Sequence, residues 1–597
     1  MAIPAPANMV LQNFITVFLP SWRAGQITTW PTHQLIIPVE HPRKPFIRQD
    51  SKKRTHQGMK DEIFQVGELT YRLQDGCLRS LSWKGFEAVR GLSAAIRDTA
   101  WGTLPEDAMP WHHETGPGRA SHVRTFAVQD GAVTGKLRIA AHANGRLEAD
   151  LSLTAHTEFR TNRAGFCLLH PLRGVVGQPF TATSPDGTDQ NLMFPERISP
   201  GQPALNLAGL RHTVQGVDVD IAMEGEVFEM EDQRNWSDAS FKTYCRPLSK
   251  PLPQVIAAGE TIHQRVVIQL SGDPVDSTTP VDEQSTVTMP EVLIAVEPDW
   301  LPAGPLHGNA ALVRWAPDAA WTAATLARLG TALGHRPLDL EIVIPEGSHP
   351  EDVVDGVAAD LAEAGLTARH VIALPAAYLQ SHQPTGPWPD GPTPEQARDA
   401  ARAAFPHARI GTGMLTNFTE LNRRPPDGGD YITHANSAIV HAADDGSVLE
   451  TLEAIPDVCA SAAAIAGDRP LRLGLMAIGM RSNPYGVGLV PNPGGARITM
   501  TDSDPRQSAP FAAAYATAVC ALAARAGIEA VTLAAAAGPL GAEGRPIGRT
   551  IDALAALAGQ KARITGTPPG PLRIEASGDV ISLDAADAAP KLEGFSP

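Results

Sequence analysis

The spacing of apolar residues changes once along this chain, and the change separates two kinds of architecture. Between roughly residues 63 and 275, apolar and polar residues alternate in short runs such as FQVGELTYRL, VTGKLRIAAHA, GRLEADLSLTAH and HQRVVIQL. A period of two sends one face of each run into a core and the other to water, the pattern of a half-buried strand. Asp130-Gly131 and Asn144-Gly145 stand between runs, where a tight hairpin needs residues that tolerate positive φ. These features predict an antiparallel β-sandwich over 59–275. A Pro/Ser/Thr-rich linker at 276–290 follows, after which short apolar strands alternate with Ala-rich helical segments such as DAAWTAATLARLGTAL. Eight strand candidates lie at 292–296, 311–315, 338–344, 370–374, 409–414, 431–440, 471–478 and 530–535. Eight βα units in about 250 residues predict a TIM-type (β/α)8 barrel over 291–560. An open doubly wound sheet is the alternative, but no G-x-G-x-x-G follows a first strand, which argues against a nucleotide-binding version. Residues 561–597 read as a short C-terminal β hairpin with Gly578-Asp579 at its turn, rejoining the sandwich or sealing the barrel.

Charge and cysteine usage narrow the partners. The net charge is −16 with no block of like charge in the body, which disfavours nucleic acid and leaves a small molecule. The five cysteines, Cys77, Cys167, Cys245, Cys459 and Cys520, are far apart and include no CxxC pair. That suits a reducing cytoplasm and offers no zinc or redox motif. Residues 1–58 carry seven Lys/Arg against two Asp/Glu and contain the apolar run MVLQNFITVFLP. This run lacks a preceding positive region and a small-residue cleavage site, and is too short to span a bilayer. The segment reads as a disordered or mis-called leader, with Met59 beginning the functional protein, and no membrane association is expected. Nothing in the sequence sets the oligomeric state.

One stretch, FEMEDQRNWSDASFKTY at 228–244, crowds ionisable and amide side chains around aromatic anchors. With Trp236 and Phe241 buried, its charges would lie against a protein wall, where pairing or a polar ligand must offset their desolvation. It is either a structural ion-pair knot or part of a site. In the barrel, side chains at the C-terminal strand ends are the candidates for chemistry. LTNFTELNRRP follows the fifth strand with Asn417, Glu420, Asn422 and Arg423; the sixth carries His434, Asn436 and His441, followed by Asp444 and Asp445. GMRSNPYG after the seventh adds Arg481 and Asn483, and DSDPRQ adds Asp504 and Arg506. Glu420 suits a general base or nucleophile and His434 a proton shuttle. Arg481 with Asn436 or Asn483 suits a carbonyl oxygen or oxyanion. The plainer reading pairs Glu420 with Arg423 and makes His434 a core histidine. No G-x-S-x-G elbow or HExxH motif is present, His112-His113 read as surface residues, and no metal or cofactor is expected.

The string FEMEDQRNWSDASFKTYCRPL, preceded by GFCLLHPLRGVVGQP and FPERISPGQPALNL, resembles the D-apionate lactonase family of bacterial apiose catabolism. TNFTELNRRP, THANSAIVHAADDGSVLETLEAIP, GMRSNPYG and DPRQSAPFAAAYATA resemble the same family, so the likeness runs from about Met59 to beyond residue 520. The resemblance implies hydrolysis of D-apionolactone, a five-membered sugar-acid lactone, to D-apionate in the cytoplasm. Such a reaction needs a base for water, a donor for the oxyanion and a proton for the leaving oxygen. The expected catalytic residues are Glu420, His434, Arg481 and Asn436. Asp232, Arg234, Asn235, Asp238, Lys242, Asn417 and Asn483 are expected to bind the sugar lactone, those of 232–242 only if the sandwich abuts the barrel mouth. A glycoside hydrolase acting on a small glycoside is the second reading, though it needs two flanking carboxylates and Glu420 lacks an obvious partner. A non-catalytic carbohydrate-binding protein is the third.

Overall fold

The computed structural model describes residues 62–595 apart from 75, 100, 276–284, 318–320, 383–386, 487 and 585–588. The readings of residues 1–58 as a leader and of most of the linker therefore lie outside the described residues.

Alternating residues fold into two large antiparallel sheets. The first has eight strands, in the spatial order Glu62–Val66, Leu69–Gln74, Cys77–Trp83, Phe86–Arg97, Arg163–Pro171, Ser240–Tyr244, Phe228–Asp232 and Ala204–Leu207. The second has ten strands and centres on Val217–Glu224, Thr261–Gly272, Arg146–Ala155 and Val133–His142. Their inner faces share one core that includes Leu69, Leu81, Leu92, Phe166, Phe241, Leu137, Leu151 and Ile268, as expected for a sandwich. The hairpin at Asn144-Gly145 needs glycine twice over: Gly145 has φ +85°, and a Cβ there would sit 2.1 Å from the Leu270 carbonyl oxygen.

The eight apolar runs close into a parallel barrel. Its strands are Glu291–Val296, Ala310–Trp315, Leu338–Ile344, Ala368–Pro375, Arg409–Asn417, Tyr431–Ser437, Arg472–Ala477 and Ala530–Ala535. Nearly every strand residue is buried, because helices cover one face and the barrel interior the other. At the N-terminal end of the strands, Asp339 binds Arg472 and Arg369 at 2.7 Å each, and Glu529 binds Arg409 at 2.8 Å. This ion-pair floor belongs to stability, since chemistry in such barrels sits at the opposite end.

The hairpin read near the C-terminus, Leu572–Ala576 with Asp579–Leu583, is the middle of a five-stranded sheet. Lys561–Gly566 and Lys591–Glu593 extend it, and Ser285–Thr288, from the end of the linker, pairs with Lys561–Gly566 at its edge. Ile564, Leu572, Ile574 and Ile581 join the barrel's hydrophobic core, so the tail packs on the barrel and not on the sandwich. Among the described residues, no helix is long and apolar enough to cross a membrane.

Candidate active site

A buried arginine turns the sandwich toward the barrel mouth. Arg234 is wholly buried and forms a two-pronged pair with Asp232, Nε to Oδ1 at 2.9 Å and Nη2 to Oδ2 at 2.8 Å. It also donates to Asp457 on the barrel helix Asp445–Ala466 at 2.9 Å and to the Pro195 carbonyl at 2.7 Å. The Asp232 carboxylate caps the short 3-10 helix Gln233–Trp236 by accepting from the Arg234 amide, and Ser237 leaves it at φ +69°. Asn235, Trp236, Ser237 and Asp238 are thereby presented to the strand ends. Thr419 donates to the Asn235 carbonyl at 2.6 Å, and Asn422 donates to the Asn235 side-chain oxygen at 2.8 Å. The Ser237 hydroxyl donates to the side-chain oxygen of Asn436. Trp236 packs on Val440, Met480 and Tyr485, with the Arg423 guanidinium 5.3 Å from its ring. The sandwich thus reaches the barrel mouth, and Asp232 and Arg234 are occupied in holding it there.

Beside this plug lies a cavity of about 230 Å³. Its floor is the face of the eight-stranded sheet turned away from the sandwich core, with Arg97, Arg163, Cys167, Ser240 and Lys242; its roof is the loop His441–Asp444 after the sixth barrel strand. The His441 Nδ1 and Asp238 Oδ2 are 2.7 Å apart, and both side chains remain one-fifth exposed. His441 Nε2 makes no hydrogen bond to the described residues. Lys242 pairs with Glu231 at 2.5 Å across the ladder. Burial pushes the Glu231 carboxyl up, but Lys242, Arg163 and His441 outweigh it and hold the group down at about 2, so Glu231 is ionised. An imidazole donating from Nδ1 to a carboxylate carries its lone pair on Nε2, which is the arrangement of a general base.

The other sequence candidates gather at the barrel rim, on the far side of Trp236. Glu420 is buried, and neither of its oxygens has a hydrogen-bond partner among the described residues. Burial raises its carboxyl to about 7, outweighing the opposing pull of Arg423 and of the nearby Ser381 and Thr416 hydroxyls, neither of which meets it in hydrogen-bonding geometry. Asn417 donates to the Tyr485 hydroxyl at 2.9 Å. Arg481 is clamped between Glu297 at 2.6 Å and Glu341 at 2.8 Å, and its guanidinium lies 5.6 Å from the Trp300 ring. Asn483 folds its own loop, donating to the Gly488 carbonyl at 2.8 Å and accepting from the Tyr485 amide at 3.0 Å. His434 is turned away from the interior: Tyr431, Thr433 and Ala435 line barrel cavities, while His434 meets Phe418 edge-on at 5.4 Å. Burial lowers its imidazole to about 4, so it is neutral. Asp444 caps the helix at Asp445–Ala466 and Asp504 pairs with Arg506 at 2.7 Å, so neither stands free to partner Glu420.

Asp238 and Lys242 therefore line the seam cavity, while Glu420, Arg481, Asn417 and Asn483 stand at the rim and His434 at neither. His441 stands among the sequence candidates without a role assigned to it, and Arg97 and Arg163 are absent from them. His441 follows directly on the buried pair Ile439-Val440, and nothing local in the sequence marks Arg97 or Arg163 as facing a cavity. His112 is exposed, whereas its neighbour His113 lies 2.8 Å from the buried His122, Nδ1 to Nδ1.

A family model described as "D-apionate lactonase, N-terminal domain" matches residues 50–273, and one described as "D-apionate lactonase, TIM barrel domain" matches residues 302–559. A D-apionate lactonase from Brucella anthropi is 36% identical over 561 residues, which is 86% of this chain and 89% of that one. Among solved structures, the GH36 alpha-galactosidase AgaB of Geobacillus stearothermophilus covers 91% of this chain and 94% of its own at 9% identity and a TM-score of 0.27. A putative aldose 1-epimerase of Escherichia coli K12 covers 36% of this chain and 100% of its own at 12% identity and a TM-score of 0.25. At those scores neither structural likeness carries an argument.

Proposed function

The chain belongs to the D-apionate lactonase family, and from that premise we propose that it hydrolyses D-apionolactone to D-apionate in the seam cavity between sandwich and barrel. The observation that carries this reading is the Asp238–His441 pair, 2.7 Å apart and open to a cavity whose floor is cationic.

In this reading Asp238 accepts a hydrogen bond from the Nδ1–H of His441 and orients the ring. Nε2 takes a proton from water as the water oxygen bonds to the lactone carbonyl carbon. The carbonyl oxygen gains negative charge, and the Lys242 ammonium faces it. The ring carbon–oxygen bond then breaks, and the leaving oxygen takes the proton held on Nε2. The product is an open hydroxy acid, which releases one proton to solvent near neutral pH. Gln233 and Ser240, hydrogen-bonded to each other at 2.8 Å, supply amide and hydroxyl partners for the sugar hydroxyls.

A second reading puts the base at Glu420, and its raised carboxyl with two unpartnered oxygens favours it. A glycoside hydrolase would require a second carboxylate near Glu420, and the rim carboxylates Glu297 and Glu341 are both bound by Arg481. The discriminating experiment is proton release from the purified protein with D-apionolactone, run beside other aldonolactones and aryl glycosides. Acid production above the spontaneous rate with D-apionolactone supports the proposal. Release from an aryl glycoside alone overturns it.

A further inference from the structure

We propose that Arg97 and Arg163 form a carboxylate-binding subsite in the seam cavity, one that holds the ring-opened acid and not the neutral lactone. This inference rests on the lactonase reading for the identity of its ligand, but not for the existence of the subsite.

Arg97 and Arg163 are direct cross-strand partners in the antiparallel ladder between Phe86–Arg97 and Arg163–Pro171. Like charges placed opposite one another destabilise a sheet, so the pair calls for a compensating charge. Among the described residues neither guanidinium sits in an ion pair: Glu231 acts on both and Asp238 on Arg97, but each of these carboxylates is in contact with another partner. Arg97 donates to the Trp101 carbonyl at 2.8 Å. Arg163, 5% exposed, lies 3.8 Å from the Tyr244 ring centroid, and its buried Nε has no acceptor.

The surrounding carboxylates are committed elsewhere. Glu231 is held by Lys242 and Asp238 by His441; Glu229 accepts from the Tyr244 hydroxyl at 2.5 Å. Glu450 is taken by Arg79, and Glu87 and Glu453 by Arg90. Two guanidinium groups are therefore left facing one cavity with no carboxylate in direct contact with either. Burial, with Arg163 beside it, holds the Arg97 guanidinium below its usual range, and Glu231 and Asp238 offset this only in part.

A guanidinium stacked on an aromatic ring presents its fork in a fixed plane, the geometry that matches a carboxylate in two-point contact. A lactone has no carboxylate until its ring opens. The subsite thus discriminates product from substrate, and the acid is expected to inhibit turnover competitively and more weakly as salt rises.

The test is titration calorimetry of the full chain with sodium D-apionate and, as a neutral control, erythritol. The expected result is that D-apionate binds at least tenfold more tightly than erythritol. Arg163→Gln should weaken D-apionate at least tenfold, with partial recovery in Arg163→Lys. Circular dichroism establishes that each variant is folded; if Arg163→Gln is not, Arg97→Gln decides in its place. D-apionate affinity within twofold of wild type in the folded variant, or equal binding of acid and erythritol by the wild type, overturns the subsite. Lactone turnover, measured separately, keeps the two claims apart. Arginine-dependent acid binding without turnover leaves the subsite standing and removes the lactonase reading; turnover with arginine-independent acid binding does the reverse.

Discussion

His441, on the loop after the sixth barrel strand, meets Asp238, on the sandwich, with Nδ1 and Oδ2 2.7 Å apart. The two residues are 203 positions apart in sequence, and their meeting joins the sandwich to the loop that roofs the cationic cavity. If Asp238 orients the imidazole, Asp238→Asn should lower kcat by about 10²–10⁴-fold, the usual range for a positioned acid–base group, with a much smaller change in KM. Steady-state kinetics with D-apionolactone measure both constants, and equal losses in affinity and rate would argue for a binding role.

Much of the fold is legible in the sequence, and the site is less so, for a physical reason. Period-two runs and Asn-Gly or Asp-Gly turns report local geometry, so the sandwich could be read without long-range information. The strands at 338–344 and 530–535 have the same limits in sequence and in structure because breakers bound them, Pro337 and Pro345 for the first and Gly527 and Gly538 near the second. The tail's full sheet is not legible in the sequence because its edge strand, Ser285–Thr288, is a pairing between segments far apart in the chain. The same applies to the site. Asp238 and Lys242 stood out because aromatics surround them, but the partner of Asp238 arrives two hundred residues later. Strand parity carried a usable signal for His434, since Tyr431, Thr433 and Ala435 claim the barrel interior and send His434 outward.

Arg234 binds Asp232 and Asp457 at once, with no exposure to solvent. Removing one partner of such a buried pair leaves an uncompensated charge, and Arg234→Met should therefore destabilise the protein by about 3–5 kcal/mol. Arg234→Lys should recover little of this, because an ammonium does not reproduce the two-pronged contact. Thermal unfolding of the three proteins tests the prediction; a melting temperature unchanged in Arg234→Met contradicts it.

Glu420 makes stability depend on pH in a defined direction. The unfolded carboxyl loses its proton near its ordinary value of 4.5, while the folded one keeps it to about 7. Between these values the unfolded state binds fewer protons, so stability falls as pH rises and the full penalty is present above pH 7. At 1.36 kcal/mol per unit this amounts to about 3 kcal/mol. Glu420→Gln should accordingly be more stable than wild type at pH 8 and no more stable at pH 4, as read from denaturant midpoints at the two values.

His434 works in the opposite sense. Burial lowers its imidazole from 6.5 to about 4, so the unfolded chain takes up a proton that the folded chain refuses, and stability is lost as pH falls below 6.5. His434→Phe should lose less stability than wild type between pH 7 and pH 5, by about 2 kcal/mol. Its lactone turnover should remain within a few-fold of wild type. Unfolding curves at both pH values, with an activity measurement beside them, check each part.

The most direct test of the seam as the reacting centre is a comparison of proton release from D-apionolactone by wild type, His441→Gln and Glu420→Gln, each verified as folded. The account predicts that His441→Gln falls by about 10²-fold or more, as expected on losing a general base, while Glu420→Gln stays within tenfold of wild type. A collapse in Glu420→Gln with His441→Gln still active would move the chemistry to the barrel rim and contradict the account.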